Sequence, residues 1–142
     1  MSERDDRNAA IIAEFRANAG HVGGPFETVR LVLVHHVGRT SGTERVNPMA
    51  YLRLDDDPDT IYVFASMAGA PKNPDWYYNL VAAGRARVEV GTDTYDVTVT
   101  DLEGDERTRL FDEQKRRVPG FAEYEKKVEG IRTIPVLALA RA

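Results

Sequence analysis

Aliphatic and β-branched residues fall in short runs separated by glycine, proline and acidic turns, and the spacing inside each run predicts its element. Ile11, Ile12 and Phe15 sit at helical spacing among charged residues, which predicts an amphipathic helix over residues 4–18, with Gly20 as its stop and a loop over 20–25. Residues 29–37 are rich in β-branched and aliphatic residues and predict a strand covered on both faces for part of its length. After turn chemistry at 38–44, extended structure resumes over 45–54, Asp55 to Asp59 form an exposed turn, and 60–66 give a third strand. Asn73-Pro74 reads as a helix start, Asn at the N-cap and Pro in the first turn, with Asp75 favoured by the helix dipole. That helix carries Trp76, Tyr77 and Leu80 and ends near Gly84.

The second half continues with a hairpin of 85–91 and 94–102. In its second arm Tyr95, Val97 and Val99 alternate with Thr94, Asp96, Thr98 and Thr100, the period of a strand with one face in a core. A charged helix from Gly104 to about Arg117 turns Leu110 and Phe111 inward, Pro119-Gly120 breaks it, and a shorter helix follows with Phe121, Tyr124 and Val128 on one face. The last strand spans 133–139, where Pro135 implies an edge or strand-end position. Six strands with few helices predict an α+β fold, an antiparallel sheet closed or nearly closed into a small barrel, with helices over its openings. Residues 1–20 form an N-terminal helix or arm, either packed on the core or mobile, and 21–142 form one domain.

Composition narrows the chemistry. The 142 residues include no cysteine, which removes disulfides, thiolate metal sites and a cysteine nucleophile. The 19 Lys+Arg stand against 23 Asp+Glu, a formal net charge of -4 that speaks against nucleic acid as a partner. Lys115, Arg116 and Arg117 sit among acids and read as a solvated helix face. The N-terminus lacks the apolar core of a signal peptide, and the longest apolar runs fall far short of the ~20 residues of a bilayer span. The expectation is a cytoplasmic protein without a transmembrane segment, with peripheral membrane contact still compatible with the sequence. No G-x-G-x-x-G or P-loop occurs, and His35-His36 point to opposite faces of a strand, so they cannot easily share a metal ion.

Three constellations remain. Residues 38–48 bring Arg39 and Arg45, suited to phosphate or carboxylate, with Thr40 and Ser41 as hydroxyl donors and Gly38 and Gly42 allowing close backbone approach; a plain polar hairpin turn is the alternative. Residues 66–80 end a strand in small residues, follow with Lys72, and open a helix whose N-terminus favours anions. Trp76 and Tyr77 there either shelter a flat ring or anchor the core. Tyr124 either donates to a developing oxyanion or keeps its hydroxyl in water.

Taken in order, Gly38-Arg39-Thr40-Ser41-Gly42, Arg45-Val46-Asn47-Pro48, Ser66 to Gly69, Asn73-Pro74-Asp75-Trp76-Tyr77 with Asn79-Leu80, Asp105-Glu106-Arg107 and Arg132-Thr133-Ile134-Pro135-Val136 resemble the deazaflavin-dependent nitroreductase family. The resemblance runs from about Gly20 to the C-terminus. It implies a six-stranded, mainly antiparallel split β-barrel related to FMN-binding split-barrel proteins, and a coenzyme, F420, whose phosphate and oligoglutamate tail are anionic. On that resemblance Arg39, Thr40, Ser41, Arg45 and Lys72 meet the tail. Val46, Asn47 and Pro48 run beside the ring, and Ser66, Met67, Ala68, Gly69 and Ala70 form a small-residue wall. Asn73, Pro74, Trp76, Tyr77, Asn79 and Leu80 complete the pocket. The implied reaction is hydride transfer from reduced F420 to an electron-poor small molecule (an enone, unsaturated lactone, quinone or nitro compound), with Tyr124 as candidate proton donor. An FMN-dependent oxidoreductase and a non-catalytic F420 carrier are the alternatives, and the chain is a monomer or homodimer.

Overall fold

A computed structural model describes residues 3–142. Helix α1 (Glu3–Ala17) and a 3-10 turn (Gly24–Phe26) lead into β1 (Leu31–Val37), β2 (Glu44–Leu54) and β3 (Asp57–Phe64). A tight turn (Met67–Gly69) and α2 (Asp75–Ala83) precede the hairpin of β4 (Arg85–Val90) and β5 (Asp93–Asp101). Helices α3 (Gly104–Arg117) and α4 (Gly120–Lys127) then lead to β6 (Val136–Arg141). The strands close into one barrel in the order β1-β2-β3-β6-β5-β4, every pair antiparallel. Closure rests on β1, which pairs with β2 from Leu31↔Ala50 to Val37↔Glu44 and with β4 at Leu33↔Glu89, Val34↔Val88 and His35↔Arg87.

Three apolar clusters follow from strand alternation. Val32, Val34, Ile61, Val63, Val88, Val97, Leu137 and Leu139 fill the barrel interior, and Leu80 of α2 plugs one end. Tyr95 packs against this cluster; its hydroxyl accepts from Arg53 at 3.4 Å and its ring centre lies 3.7 Å from the Arg141 guanidinium. Outside, Phe64, Tyr62 and Val136 pack under Leu110, Phe111, Phe121 and Val128 of the α3–α4 pair. Phe64 meets Phe111 and Phe121 edge to face, at 5.9 and 5.6 Å between centroids. The third cluster joins Leu31 and Leu33 to Phe15 of α1 and to Val22, so α1 packs on the barrel. Arg16 adds a two-pronged contact to Glu89 of β4. The outer face of β4 and β5 stays open to solvent through Arg85, Arg87, Asp96 and Thr98, as the alternation predicts.

Several boundaries differ from the sequence expectation. The turn between β2 and β3 shrinks to Asp55-Asp56, and β3 starts at Asp57 because Leu54 pairs with Asp57. β6 runs Val136–Arg141, and Pro135 stands just before it, with its carbonyl accepting from Ala65 at 3.0 Å. Pro135 therefore marks a strand start; β6 is no edge, since it pairs with β3 and β5. Helix α2 starts one residue late, with Pro74 as its N-cap, because the Asn73 side chain is held elsewhere. The basic cluster near Arg117 is ion-paired as expected of a solvated face: Arg116 and Arg117 bond Glu113, and Lys115 bridges Asp112 and Glu125.

Phe15 is the one fully buried side chain of α1 among its described residues. Phe15→Ala is expected to lower unfolding stability by about 3 kcal/mol, read as a fall in the urea midpoint. An unchanged midpoint would mean that α1 contributes nothing to the core.

Candidate functional site

The α2 end of the barrel carries a cleft of about 650 Å³. Its walls are the β1–β2 loop with the start of β2, the segment between β3 and α2, the N-terminal half of α2, and one face of α1. Inside the mouth, β1 alternation that buries Val32 and Val34 brings His36 inward as the next residue of the same parity. Asn47 reaches it from β2 and Asn79 from α2, each within hydrogen-bond distance of the imidazole. Asn79 is itself buried, and its Oδ1 accepts both the main-chain N–H of Arg39 at 3.0 Å and the Arg39 Nη1 at 2.8 Å. Burial, partly opposed by the Asn47 hydrogen bond, holds His36 below the ordinary histidine range.

Arg39 is thus fixed at its backbone and head by one neutral amide. Its guanidinium also lies 5.2 Å from the Tyr78 ring centre and only 4.0 Å from the Asp75 carboxylate, which is exposed. Arg45 and Lys72 face the same cleft and make no ion pair among the described residues. Among the described residues three cations therefore converge on one opening, with Asp5 and Asp75 as its acids.

Two loops shape the walls. In the β1–β2 loop Gly38 N–H donates to the Thr43 carbonyl and Gly42 N–H to the Gly38 carbonyl, both at 2.9 Å. The Ser41 Oγ occupies the space a side chain on Gly38 would need, so glycine there serves the turn itself. After β3, Met67, Ala68 and Gly69 all adopt positive φ, at 47°, 53° and 83°. For the two non-glycine residues this is uphill by roughly 1–2 kcal/mol each. Arg132 stabilises the turn by donating to the carbonyls of Ala65, Ser66 and Ala70 and to Asn73 Oδ1, at 2.8 to 3.1 Å.

The cleft unites Arg39, Thr40, Ser41, Arg45, Val46, Asn47, Met67, Lys72, Asn73, Pro74, Trp76 and Asn79. Pro48, Ser66, Ala68, Gly69, Ala70, Tyr77, Leu80 and Tyr124 do not line it. Ser66 and Ala70 carry the carbonyls that anchor Arg132, and a side chain on Gly69 would strike Lys127 of α4. Leu80 is core. Tyr77 turns to the barrel, where its hydroxyl donates to Asp101 of β5 at 2.5 Å. Tyr124 packs edge to face on Phe121, 5.2 Å between ring centres, beside the α3–α4 cluster. The glycine expected to allow close backbone approach, Gly38, lines the cleft, whereas sequence reasoning missed His36 and Asp75 and the α1 face of Asp5, Asn8, Ala9 and Ile12. A larger groove of about 790 Å³ along Val37, Arg85, Arg87 and Thr98 contains none of the predicted site residues.

The closed six-stranded antiparallel barrel with its flanking helices is a split β-barrel, and the cationic cleft opens beside α2. The chain belongs to the F420H(2)-dependent quinone reductase family, whose model matches residues 8–141. It is similar to the Mycobacterium tuberculosis protein Rv3178, named as a member of that family, at 32% identity over 112 residues, covering 78% of this chain and 89% of the relative. Among solved structures, an F420-H2 dependent reductase matches with a TM-score of 0.67 at 32% identity, over 77% of this chain and 92% of that one. A second, described as a domain-swapped dimer, matches with a TM-score of 0.69 at 28% identity, over 97% and 99% of the two chains. The protein is accordingly an F420H2-dependent oxidoreductase. Among the described residues no helix is long and apolar enough to cross a membrane.

Burial and the Asp101 hydrogen bond push the Tyr77 phenol up to about 12. A phenol raised in the folded state contributes stability that is complete below its unfolded value of about 10 and lost as pH rises through the folded value. Thermal unfolding followed up to about pH 12 is expected to show a steeper alkaline loss of Tm in the native protein than in Tyr77→Phe. Parallel curves would remove Tyr77 as the brace between α2 and β5.

Proposed function

We propose that the cleft binds the anionic tail of F420 through Arg39, Arg45 and Lys72, and that the protein reduces a quinone-type acceptor. The observation that carries this reading is the convergence of three cations on one cleft of an acidic chain, two of them without an ion-pair partner among the described residues. The donor set fits the group: guanidinium and ammonium suit phosphate and carboxylates, and the Thr40 and Ser41 hydroxyls add neutral donors. Met67, Trp76 and Ile12 provide the apolar surface that a flat ring needs. The family membership and the F420-dependent relatives support the same assignment.

When bound, reduced F420 supplies the hydride. The chain's own contribution is to bind, orient and shield. Arg39 is held in place before any ligand arrives, so little ordering entropy is lost at that contact on binding. The turn at Met67–Gly69, clamped by Arg132, sets one wall in a fixed shape. Much of the rate enhancement then comes from holding two reactants together.

The proton that follows the hydride has two sources, water or Tyr124. The Tyr124 hydroxyl makes no hydrogen bond among the described residues, and α4 packs against the Met67–Gly69 turn.

Fluorescence titration with oxidised F420, and separately with FMN, tests the cofactor assignment. Selective binding of F420, weakened by salt, is expected. Arg39→Ala and Lys72→Ala should each weaken it by about 1–3 kcal/mol, and unchanged affinity in both variants would sink the reading. Preference for FMN would keep the fold and discard the cofactor. Steady-state quinone reduction tests the proton source: Tyr124→Phe is expected to lower kcat and leave F420 affinity alone, whereas unchanged turnover assigns the proton to water.

A further inference from the structure

The Asn79 amide can face only one way. Its Oδ1 lies within reach of the Arg39 main-chain N–H and Nη1, and both are donors, so the oxygen belongs there. The amide nitrogen is then the atom 3.1 Å from His36 Nδ1, and it can only donate. His36 Nδ1 must offer a lone pair. The ring proton therefore sits on Nε2 and is donated to Asn47 Oδ1 at 2.6 Å. One tautomer and one charge state of the imidazole satisfy the whole chain of contacts from Asn47 to Arg39.

We propose that neutral His36 is a positioning residue that aims Arg39 into the cleft, acting through Asn79. Protonation would set an Nδ1–H against the Asn79 NH2. Relief requires the amide to turn over, giving Oδ1 to His36 and pointing two N–H bonds at Arg39, which then loses its main-chain and head-group acceptor together. The direction of the pH effect follows: the cation is aimed while His36 is neutral and released once it is charged.

The charged and titratable neighbours come from every side. His35 is next on β1, Arg45 approaches from β2, Asp75 from α2 and Arg39 from the loop, while Arg87 of β4 pairs opposite His35. Arg45 and His35 disfavour a charged imidazole and Asp75 favours it; burial adds to the first effect and is the largest. Only the consequence for cofactor affinity rests on the proposed role of Arg39; the coupling of His36 to Arg39 does not.

The test is an NMR titration of isotope-labelled protein from about pH 8 to about pH 5. At neutral pH His36 should be the Nε2–H tautomer. The Arg39 amide and the Asn79 side-chain NH2 should titrate together with His36, at a midpoint below about 6.5. His36→Asn, which keeps an acceptor near the Nδ1 position and cannot titrate, should leave the Arg39 amide flat across the range. In the native protein F420 binding should weaken by roughly tenfold through the same transition, beyond whatever change H36N shows. An Nδ1–H tautomer, or an Arg39 amide that ignores His36, would overturn the proposal without any ligand being present. Failure of F420 to bind at every pH would instead count against the cofactor reading, and the amide titration would still decide the role of His36.

Discussion

Closing the sheet on itself leaves two ends to cover, and the way each is covered decides where this protein can bind anything. Pairing of β1 with both β2 and β4 closes the sheet among the described residues. The interior is packed with buried aliphatic side chains. Away from α2 along β5, Tyr95 packs against the interior cluster, with Arg53 at its hydroxyl and Arg141 over its ring. At the other end α2 inserts Leu80 but leaves the inward-facing polar residues of β1 and β2 beside it. A cleft forms there because the helix covers only part of the mouth.

Polar groups at that mouth stand at a real disadvantage unless each is paired, since an unsatisfied buried donor or acceptor is unfavourable by about 1–3 kcal/mol. His36, Asn47 and Asn79 meet this by satisfying one another, and the last free acceptor of the set goes to Arg39. The same logic runs through the neighbouring loop. Two non-glycine residues in left-handed conformation are tolerated because Arg132, about sixty residues later in the chain, bonds three carbonyls and Asn73 around them. In both places distant elements are tied to the cleft by hydrogen bonds of fixed direction, which sets its shape more tightly than apolar packing would.

The sequence made the barrel readable because strand alternation is a local property: Tyr95, Val97 and Val99 face inward whatever lies across from them. The basic loop and the Lys72 segment were legible for a similar reason, as their residue types restrict the chemistry. Rotation of α2 was not. Trp76 and Tyr77 are adjacent in sequence, yet about 100° apart around a helix, and only the position of β5 decides that Tyr77 turns to Asp101 while Trp76 meets the cleft. The sequence placed Asn73 at the N-cap, but its side chain is engaged by Arg132 and Tyr78, contacts that no local pattern announces. His36 was considered only as half of a metal pair and discarded; the overlooked signal was its inward parity after Val32 and Val34.

The choice of a neutral amide to hold Arg39 bears on how an acidic chain binds an anion at all. The net charge of -4 acts weakly at a distance, because at physiological salt charges more than ~8 Å apart are largely screened. What an arriving anion feels is the local set of Arg39, Arg45 and Lys72. Had a carboxylate stood where Asn79 does, it would have fixed Arg39 equally well and cancelled its charge in the same step. Asn79 fixes the guanidinium through Oδ1 and leaves the full positive charge available. The nearby acid, Asp75, is exposed and at 4.0 Å, a surface contact worth about 0–1 kcal/mol. An incoming phosphate or carboxylate can replace it at little loss while the amide contacts persist. Orientation and charge are thus supplied by different partners, and an anion has to compete with only the weaker of them.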